Sequence, residues 1–324
     1  MLALAGHPLG IRLRFLDPAA DACAGDVGEL LVGDYGDAER LDRLRDGTDV
    51  VTLEFENVSV DAARRVGALP GPTSLEHSQD RLREKELFRR LGIPTARFGA
   101  VEDVGVPALV KARRLGYDGK GQRLLTVPEA LGADELAEQL VTFERELSVI
   151  AVRSRVGETA FYPLVENEHR QGILRVSRAP ATAPPDLQAE ATEYARRLID
   201  ALDHVGVLAL ELFEIGGRLL ANEYAPRVHN TGHWTIEGAE TSQFENHLRA
   251  ILGLPLGETA SRGSSVMVNL IGDAPRLAEV LDVPGAHVHL YGKTARPGRK
   301  VGHVTLVDAD AASVDEATRL AAAG

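Results

Sequence analysis

The chain has 324 residues, 44% hydrophobic and 26% charged, with a formal net charge of −12 and one cysteine, Cys23. That acidic balance argues against a nucleic-acid surface as the main function. A lone cysteine excludes an intrachain disulfide framework and fits a reducing cytoplasm. No apolar run reaches membrane-spanning length and no signal peptide is evident, so no membrane partner is expected.

The length argues for two or three domains. Lysine is scarce: Lys85, Lys111, Lys120, Lys293 and Lys300 are the whole set, and arginine supplies the rest of the 36 basic residues. Lysines kept beside glycines or at strand ends in so arginine-rich a chain point to particular work. For Lys85 biased residue usage stays open as the explanation.

Residues 1–8 read as the end of a helix, 11–16 as a strand, 29–32 as a second strand, 37–45 as a helix and 50–55 as a third strand. Strands alternating with helices imply a parallel sheet, whose ligands bind at the carboxyl ends of the strands. Glu54 and Glu56 lie at such an end and can hold a substrate hydroxyl or amine. A doubly wound domain would open with a strand and a Gly-rich turn, whereas this chain starts inside the helix that should follow them. The N-terminal domain is therefore expected to lack its first strand.

Pro70-Gly71-Pro72 marks a boundary. Residues 78–91 read as an amphipathic helix with Leu82, Leu87 and Leu91 toward a core, Arg81 near its start and Gly92-Ile93-Pro94 as its stop. Residues 107–113 form a strand carrying Lys111, which runs into Gly116-Tyr117-Asp118-Gly119-Lys120-Gly121-Gln122. Glycines around a lysine let backbone N–H groups approach a polyphosphate. The P-loop pattern is absent, so alone this is a weak signal. Residues 133–140 read as a helix and 138–141 as a hinge. Strands at 145–152, 159–165 and 172–177 give an antiparallel sheet with His169 in a loop, and Pro184-Pro185 opens a helix to about residue 205.

The hairpin that follows carries the strongest chemistry. Leu208, Leu210 and Leu212 alternate with Ala209, Glu211 and Phe213, and Gly216-Gly217 turns the chain. Glu211 and Glu223 are equally distant from Gly217, so they fall close to opposite each other. Facing carboxylates repel in a bare sheet. A cation such as Mg²⁺, which takes one or two carboxylates plus substrate phosphates, reconciles them. Asn222 adds a neutral oxygen, and Arg227, His229 and Asn230 follow as anion contacts. Residues 242–252 form a helix. A small α/β tail then has a strand at 265–271, a helix at 275–281, a strand at 288–291 and a basic Gly/Pro loop at 293–303 suited to phosphate.

GYDGKGQ at 116–122, NEYAPRVHNTGHWT at 222–235, SQFENHLRAI at 242–251 and YGKTARPGRKVGH at 291–303 together resemble the ATP-grasp superfamily. Within it they are similar to the N5-carboxyaminoimidazole ribonucleotide synthases of purine biosynthesis. The resemblance covers nearly all of the chain. It implies an α/β and α+β multidomain protein: a Rossmann-like pre-ATP-grasp domain at 1–74, an ATP-grasp domain at 75–252 and a small C-terminal domain at 253–324. It also implies an ATP-dependent carbon–nitrogen ligase that carboxylates 5-aminoimidazole ribonucleotide with bicarbonate and Mg²⁺, in the cytoplasm and as a homodimer. Another ATP-grasp ligase, such as the formate-dependent glycinamide ribonucleotide transformylase, and a non-catalytic nucleotide-binding partner stay open as alternatives.

Carried over by residue, the resemblance implies that Arg81 and Lys111 contact the ATP phosphates. Gly116, Tyr117, Asp118, Gly119, Lys120, Gly121 and Gln122 form a flap over them. Glu138 and Val141 line adenine, Glu146 holds the ribose, and His169 lies close by. Asn222 and Glu223 belong to the nucleotide site, and Glu211 and Glu223 hold the metal. Arg227, His229 and Lys293 are the catalytic candidates. Glu54, Tyr117, Lys120, Asn230, Thr231, Arg299 and Lys300 would bind the ribonucleotide, with the choice between Arg299 and Lys300 left open. Thr231 stands where serine is usual and keeps the hydroxyl.

Overall fold

A computed structural model describes residues 1–116 and 121–323. The chain opens with helix α1 (Leu2–Gly6), strands β1 (Arg14–Asp17) and β2 (Glu29–Val32), and helix α2 (Ala38–Arg45). β1 and β2 pair in parallel, Arg14 against Glu29. Asp37 caps α2 by accepting from the N–H groups of Glu39 and Arg40, the usual use of an aspartate before a first helical turn.

The strand expected at 50–55 reduces to one parallel bridge, Thr52 to Leu69. A cavity of about 1190 Å³ is lined by residues of β1, of that extended stretch and of α1 and α2. Among the described residues, no strand pairs across it.

Helices α3 (Val60–Val66), α4 (Pro72–Ser78) and α5 (Arg81–Arg90) lead to a four-stranded sheet. The helix expected at 78–91 is thus broken at Gln79-Asp80, where Asp80 accepts from Leu82 N–H and caps α5. The small sheet has the order β3 (Phe98–Gly99), β6 (Glu135–Gln139), β4 (Ala108–Ala112), β5 (Gln122–Leu125), and helix α6 (Val101–Val104) packs with it. The helix expected at 133–140 is the strand β6. Its Leu136, Ala137 and Glu138 are all buried, paired with Lys111, Val110 and Leu109 of β4. Sheet pairing overrides the helical propensity of the stretch.

The large sheet runs β12 (Arg218–Ala225), β11 (Gly206–Ile215), β7 (Arg145–Arg153), β9 (Val165–Arg170), β10 (Ile173–Ala179), β13 (Ser265–Ile271), β15 (Lys300–Val307), β14 (Ala286–Leu290), with β8 (Thr159–Phe161) beside β7. The single strand expected at 159–165 is therefore two, and His169 lies on β9 rather than in a loop. The expected basic loop ends early: Lys300 and His303 lie on β15. Helices α7 (Pro185–Ala201), α8 (Thr235–Gly238), α9 (Gln243–Leu252), α10 (Leu277–Leu281) and α11 (Ala311–Ala323) complete the chain.

β11 is covered on both faces. Leu208, Leu210 and Leu212 join α5 and α7 in one core, whereas Val207 and Ala209 join α9 and Trp234 in another. Residues C-terminal to α9 extend this sheet and add a third apolar cluster around Val304 and Leu306. None of the described helices is long and apolar enough to cross a membrane.

Two buried imidazoles fix the start of β11. His204 Nε2 meets Val207 O at 3.0 Å and His247 Nδ1 accepts from Val207 N–H at 3.1 Å. Ser74 Oγ and Thr52 Oγ1 hold their other nitrogens at 3.0 and 2.7 Å. Burial pushes His204 down to about 4 and His247 down to about 3. Their stabilisation is present above about pH 6.5, where both states are neutral, and is lost as pH falls and the unfolded chain alone takes up protons. Between pH 7 and 4.5 the expected loss is about 2.5 kcal/mol per imidazole. Denaturant titrations at several pH values check this. His247→Asn should flatten the dependence, and an unchanged slope would remove His247 as a source.

Candidate active site

Glu211 and Glu223 face each other across β11 and β12, as the sequence suggests, but not by symmetry about the turn. From Ile215↔Arg218 to Leu212↔Ala221 the register is regular; a bulge then skips Asn222, so that Glu211 meets Glu223. A regular ladder would have placed Asn222 opposite Glu211. The bulge supplies one extra residue and turns both carboxylates to one face, a common role for bulges beside active sites.

Cations reach one member of this pair. Arg81 Nη1 donates to Glu223 Oε2 at 2.8 Å. Burial opposes ionisation of Glu223, but Arg81 and Lys111 outweigh it and hold its carboxyl well below the usual range. For Glu211, burial and then the charge of Glu223 push the carboxyl up. Its nearest cation-capable neighbour is His229 Nε2 at 3.3 Å. One carboxylate is therefore compensated and the other is short of positive charge.

Lys111 on β4 is buried and donates to Glu138 Oε2 at 3.0 Å; Lys85 on α5 meets the same oxygen at 3.3 Å. Burial raises the cost of charging Glu138, but the two lysines keep it ionised. The Glu138 side chain thus turns to the lysines. Val141, the other expected adenine contact, is partly exposed beyond the end of β6. Gly116 is described, Gly121 takes φ +73, and Gln122 pairs with Lys111 in the ladder. Tyr117, Asp118, Gly119 and Lys120 lie outside the described residues.

Toward the edge of this site, Glu146 on β7 and His169 on β9 make a close side-chain contact through Oε2 and Nδ1. Burial opposes protonation of His169, but Glu146 outweighs it and raises the imidazole. Both line a cavity of about 300 Å³ with Phe143 and Arg178. Phe143 stacks on Phe213 at 4.5 Å, giving an aromatic wall at this end.

The loop after β12 is held by Gln243 of α9. Its Oε1 accepts from His229 N–H at 2.9 Å, and its Nε2 donates to His229 O at 2.6 Å. Close packing in this turn demands glycine at 232, where a Cβ would lie 2.3 Å from Ile150 Cδ1. Thr231 Oγ1 lies 3.0 Å from His229 Nδ1. Burial and then Arg227 push His229 down to about 3, so it is neutral at physiological pH. Arg227 donates to Glu56 Oε1 at 2.8 Å. Glu56, rather than the exposed Glu54, reaches this loop; Glu54 lines the large cavity.

From the C-terminal segment, Lys300 donates to Asn230 Oδ1, whereas Arg299 turns back to Thr294 O at 3.1 Å. Of the two, Lys300 is the one directed at the 227–231 loop. Lys293 is exposed, 5.4 Å from the centre of the Tyr291 ring that Lys300 also approaches at 5.6 Å.

No group of three or more His, Cys, Asp and Glu side chains suited to a metal occurs among the described residues. The donor set that is present, two opposed carboxylates with an amide beside them and charge lacking at Glu211, fits a hard divalent cation whose remaining ligands come from nucleotide phosphates.

The buried charged pair Glu84 and Lys85 of α5 is the feature that the sequence did not reveal, whereas Leu87 is buried as expected. Glu84, Lys85, Leu87 and Phe88 are buried, with Arg81 half-buried one turn ahead, so two of the four buried side chains are charged. Glu84 accepts from Tyr224 N–H at 2.7 Å. The available signal was lysine scarcity, which marked Lys85 without assigning it work.

Residues 87–244 match the ATP-grasp domain, residues 1–79 the ribonucleotide synthetase preATP-grasp domain, and residues 265–317 the phosphoribosylaminoimidazole carboxylase C-terminal domain. With the carboxylate pair of the large sheet and Lys111 of the small sheet described above, these define a ligase of the ATP-grasp class. The N5-carboxyaminoimidazole ribonucleotide synthase of Pseudomonas aeruginosa is 51% identical over 97% of this chain and 93% of its own length. The crystal structure of the Thermus thermophilus synthetase superposes with a TM-score of 0.94 at 54% identity, covering 99% of this chain and 95% of that one. An Aspergillus clavatus synthase crystallised with ADP and 5-aminoimidazole ribonucleotide gives 0.89 at 31% identity, covering 99% and 94%. The chain belongs to the N5-carboxyaminoimidazole ribonucleotide synthase family.

Proposed function

We propose that this protein uses ATP and bicarbonate to carboxylate the exocyclic amine of 5-aminoimidazole ribonucleotide, giving N5-carboxyaminoimidazole ribonucleotide, ADP and phosphate. The observation that carries the reading is the bulged pair Glu211–Glu223, with Arg81 and Lys111 on one side and Arg227, His229 and Lys300 on the other. Bicarbonate oxygen attacks the γ-phosphorus and ADP leaves, forming carboxyphosphate. The amine then takes the carboxyl carbon with loss of phosphate and a proton.

Arg81 and Lys111 bind the phosphates, where positioned charge supplies most of the catalysis. Glu146 and His169 hold the ribose end, Val141 lines adenine, and residues 116–122 cover the phosphates against water. Glu211, Glu223 and Asn222 would hold Mg²⁺, which neutralises charge on the transferring group. Arg227 and His229 lie nearest the bicarbonate, with Lys293 close by. Asn230, Thr231, Lys300 and Arg299 bind the ribonucleotide with Glu54, Tyr117 and Lys120. Domain limits at 74/75 and 252/253, a homodimer and a cytoplasmic location belong to the same reading.

ADP release with Mg²⁺ and bicarbonate, measured with and without aminoimidazole ribonucleotide, is the direct test. Release should depend on the ribonucleotide. Nucleotide binding without that dependence would mean that the acceptor is misassigned.

A further inference from the structure

Lys85 is 1% exposed on α5, one turn beyond Arg81. A buried ammonium is expensive unless paired and hydrogen-bonded, and its partners come from different parts of the fold. It donates to Thr95 Oγ1 at 3.0 Å and to Ala221 O at 3.5 Å, and meets Glu138 Oε2 at 3.3 Å. Ala221 directly precedes the bulged residue Asn222, and its own N–H donates to Pro94 O at 2.7 Å. Glu138 carries Lys111 on the small sheet. One ammonium therefore joins α5, the small sheet and the bulged strand of the large sheet.

The charge count matters as much as the geometry. One carboxylate shared by two ammoniums leaves a net charge of +1. Without Lys85, Glu138 and Lys111 form a neutral pair, and an anion arriving at Lys111 loses the excess charge of this trio.

We propose that Lys85 is a positioning residue of the nucleotide site: by sharing Glu138 with Lys111, and by holding the backbone ahead of Asn222–Glu223, it fixes the phosphate-facing lysine relative to the carboxylate pair and keeps that lysine available to phosphate. The inference rests on the assignment of Lys111 and Glu223 to the nucleotide under Proposed function.

Calorimetric titration with MgADP and steady-state KM values test it together. Lys85→Met should weaken MgADP and raise the ATP KM about tenfold, with the ribonucleotide KM within twofold of the parent. The double variant Lys85→Met with Glu138→Gln restores the net charge at Lys111 and should recover most of the lost affinity. A merely structural lysine would not give such rescue. Unchanged MgADP affinity in folded Lys85→Met, or a double variant no better than the single, overturns the proposal. Should Lys85→Met fail to fold, Thr95→Val, which removes one anchor of the ammonium, is expected to weaken MgADP at least about threefold; no change there overturns it equally. A parent protein that binds no MgADP would instead defeat the nucleotide-site assignment, and this inference with it.

Discussion

Glu223→Gln is expected to lower kcat/KM for ATP by on the order of 10³, the scale seen when one preorganised electrostatic contact to a transferring group is removed. The substitution keeps shape and removes charge. Arg81, which donates to Glu223 at 2.8 Å, loses its anionic partner. Glu211 and Glu84, whose carboxyls are pushed up by burial and then by Glu223, become easier to ionise. Glu211 thus regains part of the charge that Glu223 gives up, so the metal site is weakened rather than erased. Loss should appear in turnover and in the Mg²⁺ concentration needed for half-maximal rate. ADP formation measured across Mg²⁺ concentrations reads both. A variant within tenfold of the parent at every concentration would sink the metal role of this residue.

His229→Ala should reduce ribonucleotide-dependent ADP release about 10²-fold while leaving MgADP binding in place, the usual scale for losing a positioned hydrogen-bonding or proton-transfer group. The imidazole is neutral well below physiological pH. Thr231 N–H is directed at Nδ1, which places the ring hydrogen on Nε2, facing Glu211 Oε1 at 3.3 Å. In this state His229 donates a hydrogen bond rather than a full proton. Loss of carboxylation should therefore be similar from pH 6.5 to 8.5. Full carboxylation activity in the alanine variant would remove His229 from the bicarbonate site. A loss confined to low pH would remove its role as a neutral donor.

The two opposed carboxylates were legible because period-two alternation and a Gly-Gly turn are local signals. The bulge that opposes them was not, because nothing in LLANEYA tells which residue the ladder skips. Residues 133–140 were misread for a related reason. Ala, Glu, Leu and Gln favour a helix when judged alone, but β6 is paired on both edges, by Phe98 and by Lys111 with its neighbours. Apolar spacing placed α5 on Leu82, Leu87 and Leu91. Its Glu84 and Lys85 are buried because partners 53 or more positions away, Tyr224 N–H and Glu138, compensate them. Among the recognition loops, the choice of Lys300 over Arg299 depends on a strand beginning at residue 300, which the Gly/Pro-rich composition of the stretch concealed.

The cavity between β1 and the 50–55 stretch differs in chemistry from the carboxylate pair, because Leu13, Phe15, Leu16, Val51, Leu53 and Val58 give it a largely apolar lining. Side chains that face each other across an open space make no contacts there and forgo the dispersion gained in a filled core. The N-terminal segment is therefore the less densely packed part of the fold, and the weight of side-chain packing falls on the two sheets that carry the site.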